Sequence, residues 1–129
     1  MFSVLEHLSK PRIVEYLKLL HSLIRPGGAL IAVVPNCASL AGLMNQSGDV
    51  THETMLSCSS AAQLAEIAGY KLEYAGNAAR SVYGGQRPGR PVVKRMVYLV
   101  RDFVELMVGY LYFGARIPLD ANITFVMRR

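Results

Sequence analysis

The sequence has little cysteine, and this shortage excludes one class of protein. Its 129 residues contain two cysteines, Cys37 and Cys58, which are too few for a disulfide framework. The opening residues 1–7 also lack the basic and apolar regions of a signal peptide. We therefore expect a cytoplasmic protein that works in a reducing setting.

Charge is scarce as well, and it is unevenly placed. Charged residues make up 18% of the chain and hydrophobic residues 52%, so the chain is too apolar to be disordered. Some of that apolar surface is expected to need a partner subunit or a second copy of the chain.

Acidic residues are absent from residues 80–101, which hold six of the basic residues that give the chain its net charge of +5. Such a segment can meet the phosphates of nucleic acid or anionic lipid, or it can be a solvated surface. Aromatic residues do not alternate with the basic ones as in a stacking platform. Nucleic-acid binding is therefore not expected, whereas peripheral membrane contact stays open.

The stretch 25–36 organises the rest of the chain. Arg25-Pro26-Gly27-Gly28 forms a turn signal, and an apolar run follows until Pro35 and Asn36. A run without alternation predicts a strand buried on both faces, as in the centre of a parallel sheet. Ligands bind at the carboxyl ends of such strands, so the end at Pro35 and Asn36 is where we expect a site.

The segment before this strand predicts a helix. Residues 1–8 have the character of the end of a strand, and Ser9 with Pro11 gives a helix-start signal. One helical face then carries the apolar residues Ile13, Leu17, Leu20 and Ile24. Strand, helix and strand predict a βαβ unit with a right-handed crossover.

After the central strand, residues 36–56 predict a polar loop with one or two helical turns at 40–44. Ser60 and Gln63 fit a capping box for a helix over 61–68, which ends at Gly69.

Two further strands are predicted. Residues 70–74 alternate apolar and charged side chains, as in a half-exposed strand. Residues 123–127 predict a second strand, antiparallel to the first and at the edge of the sheet.

A helix is predicted over 92–113, and its polar side chains share one narrow face. These are Lys94, Arg95, Tyr98, Arg101, Asp102, Glu105 and Gly109. They span an arc of about 120°, which leaves most of the circumference apolar. Missing sequence, a second subunit or lipid could cover the surplus, but ordinary core burial is the preferred interpretation. Charges interrupt every window long enough to cross a membrane, so a membrane span is not expected.

The order of these elements resembles the second half of a class I S-adenosylmethionine-dependent methyltransferase. The resemblance rests on Val4-Leu5-Glu6-His7-Leu8, on Arg25-Pro26-Gly27-Gly28 before the strand, on Pro35-Asn36, and on Thr51-His52 followed by a capped helix. It is nearest to the small-molecule branch that includes the quinone-biosynthesis O-methyltransferases and enzymes of natural-product and glycan clusters. The implied fold is α/β, the C-terminal portion of a Rossmann-like sheet with parallel strands, a terminal antiparallel strand and an extra amphipathic helix.

The resemblance implies site residues in the first segment of the chain. Phe2, Ser3 and Val4 would line the S-adenosylmethionine site, and Glu6 and His7 would face the methyl acceptor. His7 is the predicted general base, because an imidazole can take a proton from a hydroxyl near neutral pH. The alternative is that Glu6 and His7 cap or orient the following helix.

Two other polar residues have open assignments. Asn36 would bind substrate or tie down its own loop, and the second role is the commoner one. His52, close to Asp49, would form an acid–base pair or brace its loop. The histidines and cysteines show no close ligand spacing, so no metal site is predicted. No local pattern supports a Cys–His nucleophile.

The chain departs from the family in one respect that matters for the cofactor. Residues 1–129 contain no glycine-rich turn between a strand and a helix, the motif whose backbone amides hold a nucleotide-like ligand. Gly27 and Gly28 precede a strand instead. We expect a single partial domain with three parts. These are a βαβαβ part at 1–75, a basic loop and amphipathic helix at 76–118, and a final strand at 119–129.

The predicted function is methyl transfer from S-adenosylmethionine to a small-molecule, lipid-like or glycan acceptor, with this chain inactive on its own. The alternative is a non-catalytic interaction module that docks a partner subunit or an anionic membrane through the helix 92–113.

Overall fold

A computed structural model describes residues 3–77, 92–114 and 117–129. These residues form one small sheet, four α-helices and a short 3₁₀ helix. In chain order they are the 3₁₀ helix Leu5–His7, α1 Lys10–Leu23, β1 Ala29–Pro35, α2 Leu40–Ser47, α3 Cys58–Ala68, β2 Lys71–Asn77, α4 Val92–Phe113 and β3 Asn122–Arg128.

The three strands form an antiparallel sheet in the order β1-β3-β2. In register, Arg128 lies opposite both Ala29 of β1 and Lys71 of β2. The predicted antiparallel pairing of the last strand with β2 is therefore confirmed. Its predicted place at the sheet edge is wrong, because β3 lies between the other two strands.

β1 alternates between buried and exposed residues, which corrects the expectation that both of its faces are buried. Leu30, Ala32 and Val34 lie in the core, whereas Ile31 is 51% exposed. These three residues face the core that the sheet shares with α1 and α3, whereas Ile31 lies on the opposite face. The described sheet shows no parallel pair of strands.

The predicted strand before α1 is not present in the described part of its segment. Residues 5–7 form the 3₁₀ helix instead, and residues 1 and 2 lie outside the described ranges. The backbone N–H of Ser3 donates to the carbonyl of Val33 at 3.0 Å, so this segment does run beside β1.

The core lies between the sheet and the pair of helices α1 and α3. From α1 it takes Ile13 and Leu17, both fully buried, with Leu20 and Ile24 packed at the margin. β3 contributes the largest block, the fully buried side chains of Ile123, Phe125 and Met127. The predicted apolar face of the first helix is thus confirmed.

The helix boundaries follow local chemistry. Ser9 is the N-cap residue of α1 with Pro11 in the first turn, although the Ser9 hydroxyl makes no capping hydrogen bond. Gly27 adopts a φ of 77° in the turn before β1, a conformation that a side chain would strain. These positions agree with the sequence prediction.

α3 begins earlier than predicted. Its N-cap is Ser57, whose hydroxyl and backbone N–H form a reciprocal capping box with Ser60. The predicted box between Ser60 and Gln63 is wrong by one turn, because three nearby serines, Ser57, Ser59 and Ser60, offer competing caps. The predicted end is correct, since Gly69 takes the left-handed conformation with a φ of 83°.

α2 is two turns long and presses closely against the end of β1. Ser39 caps it by accepting a hydrogen bond from the N–H of Gly42. A Cβ added at Gly42 would lie 2.0 Å from the backbone oxygen of Asn36, so only glycine fits there. This contact fixes the loop that leads toward the candidate site.

α4 has the predicted bounds but an orientation that the sequence did not suggest. Its polar residue Glu105 is buried and accepts a hydrogen bond from the Asn77 side chain at 3.1 Å. Arg101 pairs with Asp120 at 2.6 Å, again on the side that faces β2 and the segment before β3. The side chains of Lys94, Arg95 and Tyr98 lie outside the described part.

The apolar side of α4 is consequently exposed, which corrects the preferred interpretation of core burial. Its exposed large side chains are those of Met96, Leu99, Val100, Phe103, Val104, Leu106, Met107, Tyr110, Leu111 and Tyr112. Polar contacts attach the helix to the domain, so its apolar stripe points to the outside. None of the described helices is both long and apolar enough to cross a membrane.

Candidate functional site

The predicted catalytic pair lies where the 3₁₀ helix meets the loop after α2. The backbone carbonyl of Glu6 accepts two hydrogen bonds, from the N–H of Glu53 at 2.7 Å and that of Thr54 at 3.0 Å. The Thr54 hydroxyl also donates to the carbonyl of Leu8 at 2.7 Å. These bonds hold a loop more than forty residues distant in sequence against Glu6 and His7.

A chain of hydrogen bonds orients the ring of His7. Oγ1 of Thr51 lies 2.8 Å from Nδ1 of His7 and 2.6 Å from Oδ1 of Asp49. An ionised carboxylate only accepts, so the Thr51 hydroxyl donates to Asp49 and its oxygen accepts from His7. In the neutral ring, His7 is therefore protonated at Nδ1 and the lone pair lies on Nε2.

His52 lies beside His7, with the ring centroids 4.6 Å apart in an edge-on arrangement. Nδ1 of His52 is 3.3 Å from the carbonyl oxygen of Gln46, and a carbonyl can only accept. Nε2 of His52 lies 3.7 Å from Oδ2 of Asp49, the pair that the sequence singled out. The structure thus joins His7, His52 and Asp49 in one cluster.

The hydrogen bonds from Thr51 also act on Asp49. Its side chain accepts from both the hydroxyl and the backbone N–H of Thr51, in an Asx turn. These bonds lower the pKa of the Asp49 carboxyl, and the two histidines lower it further. Asp49 is therefore an ionised carboxylate near neutral pH.

The Glu6 side chain is the most unusual group of the site. Glu6 is 1% exposed, and neither carboxylate oxygen has a hydrogen-bond partner among the described residues. The Glu6 side chain therefore does not cap α1. Glu6, His7 and His52 each place one ligand-type atom within 4.8 Å of the others, a set that could hold a metal ion.

The predicted cofactor residues are only partly described. Phe2 lies outside the described residues, and Ser3 and Val4 are both exposed. Ser3 has a φ of 47°, which is uncommon for a residue with a side chain and turns the chain sharply before the 3₁₀ helix. Their contact with S-adenosylmethionine stays a prediction.

Asn36 makes the loop-bracing contacts that the sequence analysis considered. It is fully buried, and its side-chain amide donates to the carbonyls of Pro118 at 2.8 Å and Asp120 at 3.0 Å. Its side-chain oxygen accepts from the N–H of Ala38 at 3.1 Å. With both donors used internally, Asn36 joins the end of β1 to the segment before β3.

The two cysteines are free and partly buried. Burial raises the pKa of both thiols, and the proximity of Cys37 adds to the effect on Cys58. A raised thiol pKa disfavours the thiolate that a nucleophile needs. This agrees with the absence of a Cys–His pattern in the sequence.

The sequence singled out the four charged or imidazole side chains of the cluster, those of Glu6, His7, Asp49 and His52. It did not predict the Thr51 hydroxyl that orients His7 or the Gln46 carbonyl that orients His52. The spacing Asp49-Val50-Thr51, which suits an Asx turn, was an available signal for the first. The meeting of His52 with His7 depends on the packing of the loop and has no local signal.

A solved structure of a SAM-dependent methyltransferase from Archaeoglobus fulgidus is similar to this chain, with a TM-score of 0.61 and 17% identical residues. The match covers 100% of this chain and 57% of that protein, so the chain spans a little over half of the neighbour's length. No protein-family model and no curated protein match the sequence. The chain thus shares its α/β fold with part of that structure.

Proposed function

We propose that this chain is the C-terminal, acceptor-binding part of an S-adenosylmethionine-dependent methyltransferase. The likeness of its fold to the methyltransferase of A. fulgidus supports the reaction class. The observation that carries the proposal is the hydrogen-bonded His7, whose ring lies in a cluster with the buried Glu6 and with His52. The acceptor class, a small molecule, a lipid-like compound or a glycan, rests on the sequence resemblance.

The reaction would be an in-line displacement. The oxygen of an acceptor hydroxyl attacks the methyl carbon, an O–CH₃ bond forms, and the S–CH₃ bond breaks with its electron pair left on sulfur. The hydroxyl proton passes to Nε2 of His7, which Thr51 and Asp49 hold in the correct tautomer. The protein's main contribution is to position the two reactants.

The described residues that we propose to contact S-adenosylmethionine are Ser3 and Val4, which are both exposed. Residues 1–129 supply no glycine-rich strand-to-helix turn for the rest of the molecule. We therefore propose that the isolated chain binds the cofactor weakly and is inactive alone. A coding sequence upstream of Met1 with such a turn, in frame, would complete the fold.

The test is a methyl-transfer assay on a chain extended by that upstream sequence, with radiolabelled S-adenosylmethionine and hydroxyl acceptors. His7→Ala is expected to lower kcat by about 10²–10⁴-fold, the usual contribution of a general base. His21→Ala is the matched control, because His21 packs against Tyr70 outside the cluster. Unchanged turnover in His7→Ala would remove His7 as the base.

A second candidate, a non-catalytic module that docks onto an anionic membrane, is favoured by the exposed apolar stripe of α4. The basic run of residues 80–101, which contains no acidic residue, would complement anionic lipid headgroups. In this role the stripe lies in the bilayer interface and the polar side stays attached to the domain.

Co-sedimentation with vesicles of mixed phosphatidylserine and phosphatidylcholine tests this candidate. Binding that falls with salt and is lost in the variant Phe103→Gln/Met107→Gln would support it, because both side chains belong to the exposed stripe. Self-association through the stripe, or no binding at low salt, would contradict it. Leu23→Gln is the control, since Leu23 is an exposed apolar residue at the end of α1.

A further inference from the structure

The carboxylate of Glu6 lacks the partner that a buried charge requires. Glu6 is 1% exposed and neither side-chain oxygen has a hydrogen-bond partner among the described residues. Its backbone is held by the N–H groups of Glu53 and Thr54, so the residue cannot easily turn outward. Burying an unpaired carboxylate is costly, which calls for a positive charge beside it.

The nearest candidate groups are two imidazoles, and both present a lone pair. His7 donates its Nδ1 proton to Thr51, and His52 donates its Nδ1 proton to the Gln46 carbonyl. Each ring therefore has a basic Nε2. Histidines that bind metals are usually oriented in this way, by donation of the other ring N–H to a carbonyl or a carboxylate-linked group.

The position of Asp49 suits a cation at His52. Oδ2 of Asp49 lies 3.7 Å from Nε2 of His52, so a cation bound to this ring would also be attracted by the Asp49 carboxylate. The same ion would offset the burial of the Glu6 carboxylate.

We propose that Glu6, His7 and His52 bind one divalent first-row transition-metal ion, such as Zn²⁺ or Mn²⁺. Two imidazoles and one carboxylate are a donor set that suits these ions better than Mg²⁺ or Ca²⁺. The ligand atoms now lie within 4.8 Å of one another, whereas bonds of about 2.0–2.2 Å to one ion require closer approach. Small rotations of the side chains would bring this about.

Three protein ligands leave coordination positions open. If the proposed function is correct, an acceptor hydroxyl would occupy one of them, because a Lewis acid lowers the pKa of a bound hydroxyl. His7 would then be a ligand, and the ion would replace it in ionising the acceptor. This assignment revises the expectation from sequence spacing that the chain has no metal site.

The test is titration of the metal-free chain with Zn²⁺ by calorimetry, and with Co²⁺ by its visible absorption. We expect one ion per chain and a loss of affinity of at least about tenfold in Glu6→Gln and in His52→Gln. Glu53→Gln and His21→Gln are the matched controls, and both should bind like the unaltered chain. A chain that binds no ion, or controls that lose as much affinity as the ligand variants, would overturn the proposal.

Folding is checked by circular dichroism, and Thr51→Val gives a second test if a ligand variant does not fold. Thr51 is exposed, and its hydroxyl accepts from His7 and donates to Asp49 but is not itself a proposed ligand, so we expect a smaller but measurable loss of affinity. An unchanged affinity in this variant would contradict the assignment of His7. Methyl transfer that withstands chelators would overturn the metal site and leave the proposed function intact. Metal binding without methyl transfer in the extended chain would overturn the proposed function and leave the metal site intact.

Discussion

Thr51 and His7, 44 residues apart in sequence, are joined by a hydrogen bond of 2.8 Å between Oγ1 and Nδ1. The same hydroxyl donates to Asp49, so the loop after α2 decides which nitrogen of His7 carries the proton. Both roles considered for His7, as a base and as a metal ligand, need the lone pair on Nε2 that this bond leaves free.

The first prediction concerns this tautomer. In two-bond nitrogen–proton NMR spectra of the unaltered chain above pH 8, His7 should be protonated at Nδ1. Thr51→Val should shift His7 toward the Nε2-protonated form, because the hydrogen-bond acceptor is lost. Thr51→Ser should keep the original tautomer, and a His7 that is insensitive to Thr51→Val would contradict the proton assignment.

The titration of Asp49 provides a second prediction. Hydrogen bonds from Thr51 lower the pKa of Asp49, so its stabilising contribution is present above the ordinary aspartate value of about 3.9 and is lost as pH falls through the lower native value. Carboxyl-carbon NMR should show a midpoint below that ordinary value. Thr51→Val should raise the midpoint, and an Asp49 that titrates normally in the unaltered chain would refute the Asx turn.

A third prediction concerns the close contact at Gly42. Gly42→Ala places a methyl group against the Asn36 backbone oxygen, at 2.0 Å before any relaxation. We expect a loss of about 1–3 kcal/mol in the free energy of unfolding, measured by urea denaturation. Gly48→Ala is the control, because its added carbon meets the Met44 oxygen at 3.1 Å and should change stability far less.

The attachment of α4 gives a fourth prediction. Asn77→Ala removes the hydrogen bond of 3.1 Å to the buried Glu105 carboxylate and should destabilise the chain by about 1–3 kcal/mol. Amide hydrogen exchange should increase in α4 more than in α1. Asn45→Ala, on the exposed side of α2, should leave both measurements unchanged.

The sequence predicted the local elements well, since caps, turns and periodicity act within a few residues. The ends of α4 and the stop of α3 at Gly69 are examples. It failed where neighbours along the chain do not decide the outcome. An apolar run such as 29–34 has the same pattern whether one face or both are covered, and the central place of β3 depends on strands far away in sequence.

The inverted attachment of α4 was unpredictable for a related reason. A narrow polar face normally points to water, but here Glu105 and Arg101 find partners in Asn77 and Asp120, which come from other segments. The same holds for the site. His52 and His7 were each singled out, yet only the packing of the loop against Glu6 brings them together.

The central claim is that this chain supplies the acceptor side of a methyltransferase and not the cradle for its cofactor. Calorimetric titration of the purified 129-residue chain with S-adenosylmethionine tests it most directly. We predict no saturable binding at micromolar concentrations, because the glycine-rich turn is absent from these residues. Saturable binding with a micromolar Kd would contradict the claim.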